Sequence, residues 1–382
     1  MSDPRPSLVI FLGGISGSRV EEWMREVLEA AAIDTAQVAV DSGVFARVIL
    51  AADRPPSGDV PAGLEVRVDA TRSVGTPFRF GPAFVEVAEE VGEGALAYVG
   101  AGSGPLLRAA DFEALVAPLA AYGDAPVCVT NNRFSSDLFA LADPRRVADL
   151  DPAADKDNAI PRRLRDEHGF EVVELPRTLE TQFNLDTPSD ALALALSGRG
   201  GPRLTAALDG VPAAERMQRA AREFVDRSSE VLVAGRVSSR TWAYLESEAA
   251  CRIRLLSEER GMQAAGTDAA GTARSILGQL IAEAGPRRAF DELLPQLCRA
   301  AFIDLRPALV QLGIHASRAD RFAADLGRAE EIEDAGLREI VEAAVASPVP
   351  VVLGGHSLVG GALELLNQWA WDEHDREAAE GA

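Results

Sequence analysis

Basic residues are scarce: 38 Lys and Arg stand against 59 Asp and Glu, a formal charge of −21. That balance argues against a general phosphate-neutralising surface, and so against a nucleic-acid partner. A small anionic ligand needs only a local basic pocket and stays open. There are three cysteines (Cys128, Cys251 and Cys298), far apart and without any C-x-x-C spacing. A disulfide framework or a cysteine zinc site is therefore not expected, and a cytoplasmic location is. No basic-then-apolar leader opens the sequence and no apolar run reaches membrane-spanning length, so no membrane partner is expected. No internal repeat of fixed period is found. What is present is an ordinary globular composition, 47% hydrophobic and 25% charged over 382 residues, a length that suits two domains.

The organising stretch is Leu8-Val9-Ile10-Phe11-Leu12-Gly13-Gly14-Ile15-Ser16-Gly17-Ser18-Arg19. Its five apolar residues predict a buried parallel strand, followed by a Gly/Ser loop. Then the period changes. Val20, Met24, Val27, Leu28 and Ala31 share one face of a helix, and Glu21, Glu22, Arg25 and Glu29 are expected on the opposite, solvated face. A strand, a glycine loop and a helix put backbone N–H groups at a positive helix terminus, which suits phosphate. The same pattern also describes a tight strand-to-helix turn with no ligand.

Further strands are predicted at Val48–Ala52, Leu64–Asp69, Ala95–Val99 and Val127–Thr130, with Val172–Leu175 a shorter run and helices between several of them. Thr76–Pro82 is expected to form a turn. This alternation predicts an α/β fold with a doubly wound, mostly parallel sheet, of the Rossmann-like nucleotide-diphospho-sugar transferase type. Ligands of such sheets sit outside the carboxyl ends of the strands. Those ends carry the Gly13–Arg19 loop, Asp53-Arg54, Gly100–Pro105 and Asn131–Arg133. Asp53 reads equally as a turn residue or a ribose contact. Ser197–Arg203 reads as a linker, giving domains at 1–200 and 201–382, the second a helix-rich α/β domain with an acidic tail from Asp372 expected to be disordered.

Three places in the first half carry a family resemblance. Leu12-Gly13-Gly14-Ile15-Ser16-Gly17-Ser18-Arg19 matches a leucine/alanine-Gly-Gly-x-x-x-Ser-Arg signature. Tyr98–Leu107 takes the place of a strand ending in Gly-Asp-x-Pro-Leu, and Asn184-Leu185-Asp186-Thr187-Pro188-Ser189-Asp190 is close to an Asn/Asp-hydrophobic-Asp-Thr-Pro-x-Asp element. Over about residues 7–197 the chain resembles nucleotidyltransferases of the molybdenum cofactor guanylyltransferase type, which include phospholactate guanylyltransferases and sugar-nucleotide pyrophosphorylases. The resemblance implies a nucleoside triphosphate on the first loop, held by Leu12, Gly13, Gly14, Ser16, Gly17 and Ser18, with Arg19 neutralising phosphate charge. It implies transfer of the nucleoside monophosphate to a phosphorylated cofactor precursor or sugar, with Mg2+ spreading charge. Arg19 and Asp186 would be catalytic, and Asp186 and Asp190 the magnesium ligands. Ser103, Asn131, Arg133, Arg162 and Arg163 would contact nucleotide or acceptor, guanidinium matching phosphate. The chain departs from the pattern twice. No lysine follows the first arginine, and Ala101-Gly102-Ser103 stands where Gly-Asp belongs. A catalytically silent nucleotide-binding or regulatory module is the competing reading, and Asp190 reads as either a carboxylate ligand or a helix cap. A homo-oligomer is left open.

The second half resembles no family. Helices are expected at Ala213–Val225, Thr241–Glu248, Ile276–Ala282, Phe290–Phe302, Leu337–Ala346 and Gly361–Trp371, with strands at Val231–Val233 and Val349–Leu353. Three loops, Gly235-Arg236-Val237-Ser238, Ile303-Asp304-Leu305-Arg306 and Gly354-Gly355-His356-Ser357, each follow an apolar stretch and are expected to converge on one crevice. An activity located there is a third reading. His356 beside Ser357 suggests a hydrolase, but no Gly-x-Ser-x-Gly elbow is present.

Overall fold

The run Ser7–Leu12 forms strand β1, its side chains nearly all buried, because it lies between two parallel neighbours and offers apolar groups to both faces of a sheet. The computed structural model describes residues 5–69, 78–92, 94–122, 125–152, 154–211 and 215–381. Thr76 and Pro77 of the expected turn, and Ala213 at the expected helix start, lie outside them. Two compact units result, Met1–Ser16, Arg25–Asn184 and Gly200–Ala207 in one, and Gly17–Met24, Leu185–Arg199 and Leu208–Ala382 in the other.

In the first unit β2 (Arg47–Ala52), β3 (Leu64–Val68), β4 (Leu96–Gly100), β5 (Val127–Thr130), β6 (Leu138–Leu141) and β7 (Glu171–Glu174) join β1 in a seven-stranded sheet. The order is β3-β2-β1-β4-β6-β5-β7, and β6 alone runs antiparallel to its neighbours. This is the expected doubly wound, mostly parallel sheet. Helices α1 (Arg19–Ser42), α2 (Phe80–Val91) and α3 (Ala109–Tyr122) connect the strands. Val9, Ile49, Phe84, Tyr98 and Phe139 belong to a core on one side of the sheet.

In the second unit β8 (Glu230–Gly235), β9 (Arg252–Ser257), β10 (Ala300–Asp304) and β11 (Val351–Gly354) form a wholly parallel sheet in the order β11-β10-β8-β9. Leu232, Phe290, Ile303, Val341 and Leu353 contribute to its core.

Around residue 200 the two units draw on interleaved segments of the chain. The helix Pro188–Ser197 packs with the second unit, where Ser189 fills the space a Cβ on Gly354 would need. Gly200–Ala207 belongs with the first, the Leu204 N–H donating to Asp34 at 2.8 Å. Several expectations are corrected. The helix expected over Phe290–Phe302 ends early: Ala289–Gln296 is helical, but Ala300–Asp304 is strand β10. It pairs in parallel with β8 on one side and β11 on the other. The tail is helical to Glu380, anchored by Trp369, which is buried, and by the Trp371 indole, which donates to the Glu248 carbonyl at 2.9 Å. Glu21, Arg25 and Glu29 are buried rather than solvated, each held by a partner on a neighbouring loop.

Candidate functional site

Chain order places the switch point of the seven-stranded sheet between β1 and β4, where a ligand of a doubly wound sheet belongs. Leu12 ends β1 there. Gly13 has no room for a side chain, since a Cβ would stand 2.9 Å from Asp53 Cγ. Gly14 has φ +77° and donates its N–H to Asp53 Oδ2 at 3.1 Å. The other Asp53 oxygen accepts from Arg25 Nη2 at 3.0 Å, and Arg25 Nη1 donates to Glu29 at 3.0 Å. Glu29 in turn accepts from the Ser57 amide and hydroxyl, both at 2.6 Å. Arg25, whose side chain is 1% exposed, is paired with two carboxylates, though its Nε is buried without a hydrogen-bond partner among the described residues. The loop amide at Gly14 thus faces a carboxylate of the protein itself.

Gly13, Gly14, Ser16, Gly17 and Arg19 are exposed. Ser18 and Glu21 close the start of α1 reciprocally. Glu21 Oε2 accepts from the Ser18 N–H at 3.0 Å and from its hydroxyl at 2.9 Å, while Ser18 Oγ accepts from the Glu21 N–H at 3.3 Å. This cap explains why Glu21 is buried.

Across the switch point Ser103 is buried, and its hydroxyl donates to Asn184 at 3.3 Å. Asn131 is a brace: its amide donates to the Thr181 carbonyl and its carbonyl accepts from the Asp137 N–H. Two of the three arginines expected to hold acceptor phosphate already face carboxylates. Arg133 Nε stands 3.3 Å from Glu174, and Arg163 forks onto Glu167 at 2.6 and 3.1 Å. Arg162 is half-buried in the helix Ile160–His168.

In the second unit Asp190 is a helix cap. Its Oδ2 accepts from the N–H groups of Asp186 and Thr187, from the Thr187 hydroxyl and, at 2.5 Å, from the Ser357 hydroxyl. Its Oδ1 is buried without a partner among the described residues. Burial and the nearby Asp186 charge push its pKa up to about 7 against those donors. Asp186 keeps a side chain 35% exposed. Among the described residues no group of three His, Cys, Asp or Glu side chains could hold a metal ion. Asp190 is committed to the cap, and Asp186 is the other carboxylate of this turn.

No protein-family model matches the chain, and no curated protein does. Among solved structures it is similar to a nucleotidyl transferase from Methanothermobacter thermautotroptrophicus, at 18% identity and TM-score 0.36, over 50% of this chain and 96% of that one. It is also similar to the 4-diphosphocytidyl-2C-methyl-D-erythritol synthase of Anaerococcus prevotii, at 12% identity and TM-score 0.34, over 49% of this chain and 95% of that one. A CMP:2-keto-3-deoxy-manno-octonic acid synthetase matches at 15% identity and TM-score 0.24, over 45% of this chain and 90% of that one. Likeness at this distance does not extend to activity. No helix among the described residues is long and apolar enough to cross a membrane.

The three loops of the second half do converge. Arg236, after β8, forks onto Asp304, at the end of β10, with Nε to Oδ2 at 2.5 Å and Nη2 to Oδ1 at 3.1 Å. Gly235 makes this approach feasible: it has φ +117°, and a Cβ would stand 2.5 Å from Asp304 Cβ. Arg306 Nη2 donates to both Asp325 oxygens, at 2.9 and 3.1 Å. His356 lies 3.8 Å from Asp186. Its pKa is lowered by the packed protein around it and by Arg236 and Arg306. With its side chain 55% open to water, desolvation is partial, and the imidazole is neutral at pH 7. Asp304 is held below the ordinary carboxylate range: its burial opposes ionisation, but Arg236 and Arg306 outweigh it. Burial pushes Asp325 up to about 7 against the pull of Arg306. Asp325 is not among the residues to which the sequence pointed. Its signal is an aspartate among the buried Phe322, Ala323 and Ala324 of one helix. Near it, His315 and Arg318–Arg321 border a helix start capped by Ser317, and Asp320 accepts from the Glu333 N–H, a structural role.

Proposed function

We propose that this chain is a nucleotidyltransferase-like protein that binds a nucleoside triphosphate at the β1–β4 switch point and holds it without transferring it. Support for binding comes from the order of three family motifs and from the exposed Gly13, Gly14 and Ser16 of the first loop. The observation that carries the absence of transfer is the fate of the acidic residues. Ser103 replaces one aspartate, and Asp190 is consumed by a helix cap. Transfer of the nucleoside monophosphate to a phosphorylated cofactor precursor or sugar is the second reading, favoured by the part-open carboxylate of Asp186. Magnesium enters only as the companion of a triphosphate.

A thermal-shift panel of GTP, CTP, ATP and UTP, with and without Mg2+, tests the proposal alongside a pyrophosphate-release assay. Stabilisation by one triphosphate without metal and without pyrophosphate release is expected. Metal-dependent binding with release would establish transfer instead, and no stabilisation by any triphosphate would refute both readings.

A further inference from the structure

The wholly parallel four-stranded sheet has a switch point of its own. β9 lies on one side of β8 and β10 on the other, so the crevice opens between the carboxyl ends of β8 and β10. Arg236 and Asp304 occupy that place. Asp304 is saturated: besides the Arg236 fork it accepts from the backbone N–H groups of Arg236 at 3.3 Å and Arg306 at 3.2 Å. Its side chain is 0% exposed and that of Arg236 is 13% exposed. The carboxylate thus acts as a rigid seat that aims the guanidinium.

Beside it runs Gly354-Gly355-His356-Ser357. Among the described residues no backbone acceptor takes the N–H groups of Gly355, His356 or Ser357. Gly354 is pressed so tightly on Ser189 that a Cβ would lie 2.4 Å from its hydroxyl oxygen, which fixes the loop. Gly355 and Ser357 are buried and His356 is exposed, so the loop combines amides without a backbone acceptor, a seated guanidinium and a half-exposed imidazole, all able to donate hydrogen bonds. The carboxylates beside them are Asp304, buried under the Arg236 fork, Asp190, buried in the helix cap, and Asp186, whose side chain is 35% exposed.

We propose that the second unit holds a ligand site of its own, in which Arg236, His356 and the amides of Gly355–Ser357 bind the oxyanion of a small phosphorylated or carboxylated molecule. The site is independent of any nucleotide on the first unit. The four histidines of the chain supply the probe. Ring resonances of the full-length protein are followed by NMR while inorganic phosphate or, separately, acetate is added, and His356→Ala assigns the His356 signals. A saturable shift of His356 alone is expected. If phosphate produces it, the ligand is a phosphate ester; if acetate does, a carboxylate. Arg236→Lys keeps the charge but loses the fork and should weaken the response about tenfold. No saturable shift with either anion, or equal shifts at His168, His315 and His374, would overturn the proposal. That wild-type result decides the matter even if the lysine variant fails to fold.

Discussion

Replacing Asp53 separates a phosphate cradle from a closed turn. Its carboxylate holds the Gly14 amide at 3.1 Å and Arg25 at 3.0 Å. In Asp53→Ala the Gly14 N–H is released and a negative charge leaves the β1–β4 switch point. A charge-assisted hydrogen bond from that amide to a phosphate oxygen is worth about 1.5–3 kcal/mol, so triphosphate affinity should rise about 10–100-fold. Stability should move the other way. Arg25 keeps Glu29 as its partner, so the expected loss is that of one charged hydrogen bond, about 2 kcal/mol, rather than of an isolated buried ion. Isothermal titration with the preferred triphosphate reads the first effect, and urea denaturation reads the second. Asp53→Asn, which still offers an oxygen to Gly14, should show a smaller gain. The reasoning fails if Asp53→Ala is destabilised as expected but binds triphosphate no better than wild type.

Asp304→Asn leaves Arg236 without its counter-charge and should cost about 3–5 kcal/mol in chemical denaturation at neutral pH. Because Asp304 is held below its ordinary value of 3.8, its contribution is present above that value and is lost as pH falls from there through the lowered one. The gap to the variant should therefore close in acid, and a gap independent of pH would contradict the pairing. Asp190 runs the other way. Raised from 3.8 to about 7, it favours the folded state in acid, and that contribution disappears as pH rises toward 7. The span corresponds to about 4 kcal/mol, so wild type should lose stability relative to Asp190→Asn between pH 4 and 7. Asp186→Asn removes a repelling charge and lowers the Asp190 pKa, so that decline should be smaller and end at a lower pH. Gly235→Ala forces a Cβ to 2.5 Å from Asp304 at φ +117° and should lower stability by about 3 kcal/mol, read by thermal denaturation.

The sheet of the first unit is legible in the sequence because most of its strands are short apolar runs that end in glycine or polar loops. Leu8, Val9 and Ile10 of β1 and Val127–Thr130 of β5 are buried on both faces, which is why they read as continuous runs rather than as alternation. β6 and β10 are not legible. Leu138–Leu141 and Ala300–Asp304 are four- and five-residue elements, and at that length periodicity cannot tell a strand from a turn of buried helix. What settles β10 is its pairing with β8 and β11, each about fifty residues or more away along the chain. The tail is a comparable case: its acidic composition suggests disorder, while the helix is held by Trp369 and Trp371.

The sites divide along the same line. That three loops of the second half would meet is legible, because each follows a strand of one parallel sheet. That Arg236 would pair with Asp304, 68 residues on, is not, because no local pattern encodes it. The helix after β1 makes the point most sharply. Glu21, Arg25 and Glu29 recur at the i, i+4 spacing of a solvated face, yet all three are buried. Arg25 and Glu29 are drawn in by Asp53 and Ser57 from the loop after β2, and Glu21 by the cap on Ser18. The i, i+4 charge pattern therefore does not by itself mark a solvated face: a local cap buries Glu21, and partners from another loop bury Arg25 and Glu29. Here a carboxylate of the protein, Asp53, occupies the loop amide of Gly14 on which a phosphate would rest. Asp53 is therefore the residue by which phosphate binding at this loop stands or falls.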